Sequence, residues 1–209
     1  MQIFTDIKKF AGAKLEEINS DIFNKASFKI AAVGRFLDKE KNFSMLIKAM
    51  KSLAKIDPKI VLLLIGYGPD EIKYKKLVSE YDLEKNVVII KTDDNLAGLL
   101  KNCDMFVLSS NYEGWGRVVI EAMASGLPVV MTDVGLAGEV VRDRENGLVV
   151  PVADKKALVK ALQSLYVEKE LREKLAKRGQ QEVLNLSPQT EEEYFDRHKK
   201  TLEVCIKSK

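Results

Sequence analysis

The sequence predicts an α/β fold: a doubly wound, Rossmann-like parallel sheet with additional helices at its C-terminal end. Short apolar runs alternate with helical patterns over about 150 residues, which is typical of repeated strand-helix units. The run Ile60–Ile65 contains six apolar residues without polar alternation. Such a run is expected of a parallel strand that is covered on both faces.

The first elements are predicted from their apolar spacing. Met1–Ile18 is predicted as one helix, and Asn19–Ser27 as a turn and linker. Lys29–Gly34 is predicted as the first buried strand, and a helical pattern of apolar residues begins at Phe43. The later predicted strands are Ile60–Ile65, Val87–Ile90, Met105–Leu108, Pro128–Met131 and Leu148–Val150.

The last part of the chain is predicted to be helical. Asp154 stands where an N-cap is expected, before a helix that starts at Lys155. A second helix is predicted over Glu168–Glu182, and Ser187 with Pro188 predicts the start of a last one. We therefore divide the chain into an N-terminal helix and linker (1–27), a central α/β domain (28–182) and a C-terminal helix (183–209).

Composition excludes several classes of protein. The 209 residues contain no apolar run of the roughly 18 residues that a membrane span needs. Cys103 and Cys205 are too few for a disulfide framework, which favours a cytoplasmic location. The net charge of +3 arises from interspersed charges and argues against nucleic-acid binding. His198 is the single histidine, so a site with several histidines is excluded.

Two carboxylates flank a glycine turn after the run Met105–Leu108. Glu113 precedes Gly114 and Gly116, and Glu121 lies in the helical pattern that follows. A strand, a glycine turn and a helix expose unpaired N–H groups at the positive end of a helix dipole, which favours a phosphate group. Carboxylates are suited to accept hydrogen bonds from hydroxyls, so a nucleotide sugar fits both features. The alternative is that the two carboxylates lie on an ordinary helix surface.

This segment resembles the donor-binding half of retaining GT-B glycosyltransferases, which include sucrose synthase and glycogen synthase. The resemblance runs from about Phe28 to about Glu182, and its motif is Glu-x7-Glu followed by Ala, a small residue, Gly and Pro. It implies that Glu113 contacts hydroxyls of the donor sugar and that Glu121 holds the ribose. Backbone amides from Gly116 to Val118 would meet the diphosphate, and Gly114 and Arg117 belong to the same predicted nucleotide-binding turn.

A basic loop after the first strand supports the same resemblance. Relatives carry Gly-Arg here with a lysine a few residues on, and Gly34 and Arg35 match. The lysine is shifted by one loop residue, which makes Lys41 the nearest equivalent and leaves Lys39 as the alternative. Arg35, Lys41 and Glu113 are thus the implied catalytic residues, the two cations neutralising the leaving diphosphate. Without the resemblance, these basic residues would be interpreted as solvated surface.

Three other loops are ambiguous. Lys91 stands where relatives usually have a glycine near the nucleobase, so we count it among the predicted nucleotide-binding residues while the identity of the base is open. Gly66 and Gly68 form either a nucleotide loop or a plain turn before a helix. Thr132 and Asp133 are as consistent with capping a helix as with contacting the ligand.

We interpret the sequence as the donor-binding domain of a retaining glycosyltransferase that moves a sugar from a nucleoside diphosphate to a hydroxyl, in surface polysaccharide or glycolipid synthesis. No metal or other cofactor is implied, because the cations take the metal's role. The expected partner is an N-terminal acceptor domain or a separate acceptor subunit, without which the chain should be inactive; peripheral membrane association through that half is left open. The alternatives are a non-catalytic nucleotide-sugar-binding module and a sugar-nucleotide epimerase-like protein. The loop after the first strand lacks the Gly-x-Gly-x-x-Gly fingerprint of dinucleotide enzymes.

Overall fold

A six-stranded, entirely parallel sheet forms the centre of the chain in a computed structural model that describes residues 7–14, 18, 20–91 and 95–186. The strand order is β3-β2-β1-β4-β5-β6. Because the chain leaves β1 toward one edge and returns at β4 toward the other, the order reverses between these two strands. The strands are β1 (Phe28–Val33), β2 (Ile60–Ile65), β3 (Val87–Ile90), β4 (Met105–Leu108), β5 (Val129–Thr132) and β6 (Leu148–Val150).

Helices cover both faces of this sheet and confirm the doubly wound α/β prediction. The helices are α1 (Ile7–Ala11), α2 (Asp21–Asn24), α3 (Asp38–Lys41), α4 (Phe43–Ala54), α5 (Glu71–Glu80), α6 (Leu96–Lys101), α7 (Arg117–Ala124), α8 (Lys155–Val167) and α9 (Lys169–Leu186). One apolar core lies under α4, α5 and α8, and a second lies under α1, α6 and α7. Helix α9 contributes Leu175 to the first core and Val183 to the second.

The predicted strands agree closely with the observed ones. β2, β3, β4 and β6 have the predicted bounds, and β1 and β5 are each displaced by one residue. β1 begins at Phe28 because this residue pairs in register with Ile60 of β2. β5 begins after Pro128, whose nitrogen carries no hydrogen to donate, although its carbonyl accepts a hydrogen bond from Phe106.

The N-terminal prediction was wrong in two respects. The first helix does not extend to Ile18, because α1 ends at Ala11, just before Gly12, which disfavours helix. The predicted turn and linker contains α2, whose N-cap Ser20 accepts a hydrogen bond from the Phe23 amide at 3.3 Å. Phe10 and Phe23 are buried in the second core. Residues 1–6, 15–17 and 19 lie outside the described part of the chain.

The two predicted C-terminal helices that the structure describes are present, but α9 extends four residues beyond the predicted end at Glu182, to Leu186. Asp154 caps α8, since its side chain accepts a hydrogen bond from the Ala157 amide at 2.9 Å. The last helix predicted from Ser187 lies outside the described residues, as do His198 and Cys205. Among the described helices, none is both long and apolar enough to cross a membrane.

Candidate functional site

The loop after β1 brings one lysine to the carboxyl edge of the sheet. Gly34 directly follows β1, and a Cβ atom at this position would lie 3.3 Å from Cε of Lys41. The glycine therefore lets the lysine stem cross the end of the strand. Arg35 follows with an exposed side chain that forms no ion pair within the described residues, and Lys39 is exposed in α3.

Lys41 meets Glu113 from the loop after β4. The Lys41 ammonium lies 2.6 Å from Oε1 of Glu113, and Ser110 donates a hydrogen bond of 2.7 Å to the same oxygen. The two charged side chains are 17% and 10% exposed, so solvent screens this pair less than a surface pair. In the described residues, both of these hydrogen bonds go to Oε1 and none goes to Oε2. The site thus places a cation, a carboxylate oxygen and a hydroxyl side by side between β1 and β4.

The helix after the glycine turn adds an anion-binding element. Gly116 is the N-cap of α7 with φ of 82°, in the left-handed region, and provides no side-chain cap. The first amides of α7, including those of Arg117 and Val118, therefore lie at the positive end of the helix dipole without a capping side chain. Gly114 is exposed, and a Cβ atom there would contact nothing within 4 Å. The backbone conformation thus explains the glycine at 116, whereas nothing in the structure explains the one at 114.

Glu121 lies on the first turns of α7 and is almost fully buried, at 9% exposure. Burial raises the pKa of its carboxyl group, while the charges of Arg117 and Lys9 oppose that rise. Its Oε1 lies 3.3 Å from Nε of Arg117, four residues earlier on the helix. Arg117, which is predicted to bind the nucleotide, therefore forms an ion pair with Glu121 in this structure.

A set of hydrogen bonds, which the sequence analysis did not identify, joins the loop after β4 to α3. The Asn111 amide donates to the Glu40 carbonyl at 2.7 Å, and its side chain donates to the Lys39 carbonyl at 3.1 Å. Ser109 Oγ donates to the Lys41 carbonyl at 2.9 Å. Asn42 donates to Oδ1 of Asn111 at 2.9 Å. No local pattern shows these partners, because they lie about 70 residues apart.

The loop after β5 packs against the glycine turn that follows β4. Thr132 Oγ1 donates to the Ser110 carbonyl at 2.6 Å. Of the two interpretations of this loop, the one in which Thr132 or Asp133 caps a helix is wrong, because turns and isolated bridges follow β5. Gly135 has φ of 56°, and a Cβ atom there would lie 2.9 Å from the carbonyl oxygen of Trp115. The indole Nε1 of Trp115 is buried and has no hydrogen-bond partner in the described residues.

The loops after β2 and β3 contribute differently. A Cβ atom at Gly66 would overlap the carbonyl oxygen of Gly34, and one at Gly68 would lie 2.6 Å from the Phe36 carbonyl oxygen. These glycines therefore allow a close approach to the loop after β1, which favours the plain-turn interpretation. An open cleft of about 490 Å³ lies at the carboxyl edge of the sheet, lined in part by Gly34, Gly66 and Tyr67. Lys91 is exposed after β3, two strands or roughly 10 Å from β1.

Comparison with known proteins identifies the family. Residues 14–182, more than half of the chain, match the family described as glycosyl transferases group 1. The chain belongs to this family. The resemblance to the C-terminal domain of GT-B glycosyltransferases is thereby confirmed. Among the residues that the structure describes, no group of three or more His, Cys, Asp or Glu side chains could hold a metal ion.

The chain is similar in sequence to several bacterial glycosyltransferases. It is 32% identical over 155 residues to the lipopolysaccharide core biosynthesis glycosyltransferase LpsE of Rhizobium meliloti, covering 74% of the chain and 44% of the relative. It is 37% identical over 153 residues to a diphospho-undecaprenol 4-alpha-N-acetylgalactosaminyltransferase of Campylobacter jejuni, covering 73% of the chain and 40% of the relative. The chain thus spans less than half the length of either relative.

Solved structures share the fold. The C-terminal domain of a group 1 family glycosyltransferase of Francisella tularensis superposes with a TM-score of 0.75 at 25% identity, covering 87% of this chain and 97% of that one. Sucrose-phosphate synthase of Thermosynechococcus elongatus gives a TM-score of 0.73 at 30% identity, covering 86% of this chain and 46% of that one. The chain therefore corresponds in extent to one domain of such an enzyme.

Proposed function

We propose that this chain binds the nucleoside-diphosphate-sugar donor of a retaining glycosyltransferase, in a site between the carboxyl ends of β1 and β4. The contact of 2.6 Å between Lys41 and Glu113 carries the proposal. It lies where the strand order reverses, which is where ligands bind in open α/β sheets. A donor of this class presents both an anionic diphosphate and sugar hydroxyls, and the pair offers one partner to each.

Each group has a distinct role in the proposed transfer. The bond between the anomeric carbon and the diphosphate oxygen breaks, and negative charge grows on the departing nucleoside diphosphate. The acceptor hydroxyl oxygen bonds to the same carbon, and its proton passes to the departing diphosphate. Arg35 and Lys41 stabilise that charge, together with the uncapped amides at the start of α7. Glu113 accepts a hydrogen bond from a sugar hydroxyl through Oε2. Glu121 accepts hydrogen bonds from the ribose.

The comparisons support the reaction class without specifying the donor. The names of the relatives describe glycosyl transfer in lipopolysaccharide synthesis and onto a lipid-linked diphosphate. A structural neighbour from Anabaena was solved with UDP, at 24% identity and a TM-score of 0.72. Because that identity shows the fold alone, the nucleotide site is inferred from the side chains of this chain. We propose UDP or GDP as the nucleotide part and no metal requirement.

The acceptor is proposed to bind on a second domain or a separate subunit. This follows from the relatives, of which the chain matches less than half. Holding an acceptor hydroxyl in line with the donor carbon can be worth about 7–11 kcal/mol. Without that positioning, we expect at most slow hydrolysis of the donor. Peripheral membrane association, where the acceptor is lipid-linked, is assigned in this proposal to the acceptor half.

Calorimetry with UDP, GDP, ADP and their glucose conjugates tests the proposal. We expect UDP or GDP to bind weakly, and the conjugate to gain affinity through Glu113. Absence of binding by all six ligands at millimolar concentration would reject the nucleotide site. Tight binding without transfer, even after the acceptor half is added, would instead support a non-catalytic binding module. Epimerised sugar in the product would support the epimerase alternative.

A further inference from the structure

Two asparagines hold the loops that carry Lys41 and Glu113. Asn111 lies two residues before Glu113 and bonds to the backbone of Lys39 and Glu40. Asn42 directly follows Lys41 and bonds to the side chain of Asn111 at 2.9 Å. In the sequence, the two asparagines therefore lie next to or two residues from the charged residues Lys41 and Glu113.

These hydrogen bonds pair backbone carbonyls that have no partner within the short helix α3. The last carbonyls of a helix lack partners within the helix. In α3, the carbonyls of Lys39, Glu40 and Lys41 accept hydrogen bonds from Asn111 or from Ser109. The C-terminal end of α3 is thus completed by the loop after β4. Since Lys41 is the last residue of α3, this loop fixes its backbone.

We infer that Asn111 and Asn42 are positioning residues, which we call the asparagine clasp, and that they set the geometry of Lys41 relative to Glu113. A lysine has four rotatable side-chain bonds and loses much conformational freedom when it is held in one place. The contact of 2.6 Å also needs both backbones at a fixed separation. The clasp supplies this separation without touching the ligand.

The conformation of Asn42 fits this role. Its φ of 49° lies in the left-handed region, which asparagine tolerates better than most residues. The turn between α3 and α4 therefore suits an asparagine, and the amide is then directed at Asn111. Replacement of Asn42 by glycine would preserve the turn and remove the side-chain bond to Asn111, together with a long contact of 3.8 Å to Sδ of Met45.

A test without ligand comes first, because it does not depend on the proposed function. The coupling between Lys41 and Glu113 is measured by a double-mutant cycle of Lys41→Met and Glu113→Gln in urea unfolding. The cycle is repeated in the presence of Asn111→Ala, of Asn42→Gly and of the control Asn24→Ala. Asn24 also bonds through its side chain to a backbone carbonyl, but in the N-terminal segment.

The clasp predicts that the coupling falls with Asn111→Ala, which removes both side-chain bonds but keeps the backbone bond to Glu40. It should fall less with Asn42→Gly, which removes one of those two bonds, and stay unchanged with Asn24→Ala. If Asn111→Ala does not fold well enough to be measured, Asn42→Gly decides. Coupling of unchanged size in Asn42→Gly and in any folded Asn111→Ala protein would overturn the inference.

A second test uses UDP and uridine and rests on the proposed function. Asn111→Ala removes two side-chain hydrogen bonds that act on UDP only through Lys41, and should lower UDP affinity about threefold to tenfold, less than their combined free energy. Uridine affinity should not change, whereas general loosening of the fold would weaken both ligands. If the wild type binds UDP and Lys41→Ala weakens it but Asn111→Ala does not, the clasp is wrong while the donor site stands. If the wild type does not bind UDP, the proposed function fails, and the coupling measurement still decides the clasp.

Discussion

Glu121→Gln should leave the stability of the fold at neutral pH unchanged or raise it, while it weakens nucleotide binding. Burial raises the pKa of Glu121 above its usual 4.5, so the folded protein binds this proton more tightly than the unfolded chain does. The ionised carboxylate is therefore unfavourable for folding above the raised pKa, and this cost disappears as the pH falls through it. A tenfold difference in proton affinity between the folded and unfolded states corresponds to about 1.4 kcal/mol of stability. The variant should match the wild type in acid and equal or exceed its stability at neutral pH.

Nucleotide binding should weaken in the same variant. One carboxylate oxygen becomes an amide that cannot accept a ribose hydroxyl, which should cost about 1–3 kcal/mol, or up to about a hundredfold in affinity. Urea unfolding across pH and calorimetry with UDP measure the two effects. Glu71→Gln is the control, because a hydrogen bond from Lys75 lowers the pKa of this partly exposed carboxyl. Loss of the Glu71 carboxylate should therefore change stability with the opposite pH dependence. A variant that loses stability at neutral pH but retains UDP affinity would refute the assigned role of Glu121.

Three further sets of substitutions in the site, and one in a supporting loop, have distinct expected results. Glu113→Ala should reduce the affinity for a nucleotide sugar more than for the nucleotide in calorimetry, and equal losses would contradict its role with the sugar. Arg35→Ala should weaken UDP by about 1.5–3 kcal/mol but leave uridine unchanged. Lys41→Ala should weaken UDP where Lys39→Ala does not, and the reverse result would transfer the role to Lys39. Gly66→Ala should cost about 1–3 kcal/mol in urea unfolding through overlap with the loop after β1, and a neutral effect would show that this loop adjusts freely.

The sheet was predictable because its signal is local. Runs such as Ile60–Ile65 are buried on both faces and contain no polar residue, so their bounds can be seen in the sequence. The turn around Gly116 was predictable for the same reason, since a glycine between a strand and a helix marks a sharp change of direction. Glu113 and Glu121 were identified through their spacing around this turn.

The contacts between loops were not predictable from the sequence. Ser110 shares an oxygen of Glu113 with Lys41, and Asn111 bonds to a helix about 70 residues earlier in the chain. Such partners depend on which strands become neighbours. The pairing of Arg117 with Glu121 has the ordinary i, i+4 spacing of a helix and could have been anticipated. The first helix is shorter than its apolar spacing predicts, because Gly12 disfavours helix directly after Ala11.

The most direct test of the donor site is amide chemical-shift mapping by NMR during titration with UDP. The account predicts saturable shifts at Gly34, Lys41 and the first turn of α7, with smaller changes near Glu121. The loop after β6, at the same edge but two strands beyond β4, should remain unchanged. Shifts confined to that loop or to α5, or no saturable shift at all, would contradict a nucleotide site between β1 and β4.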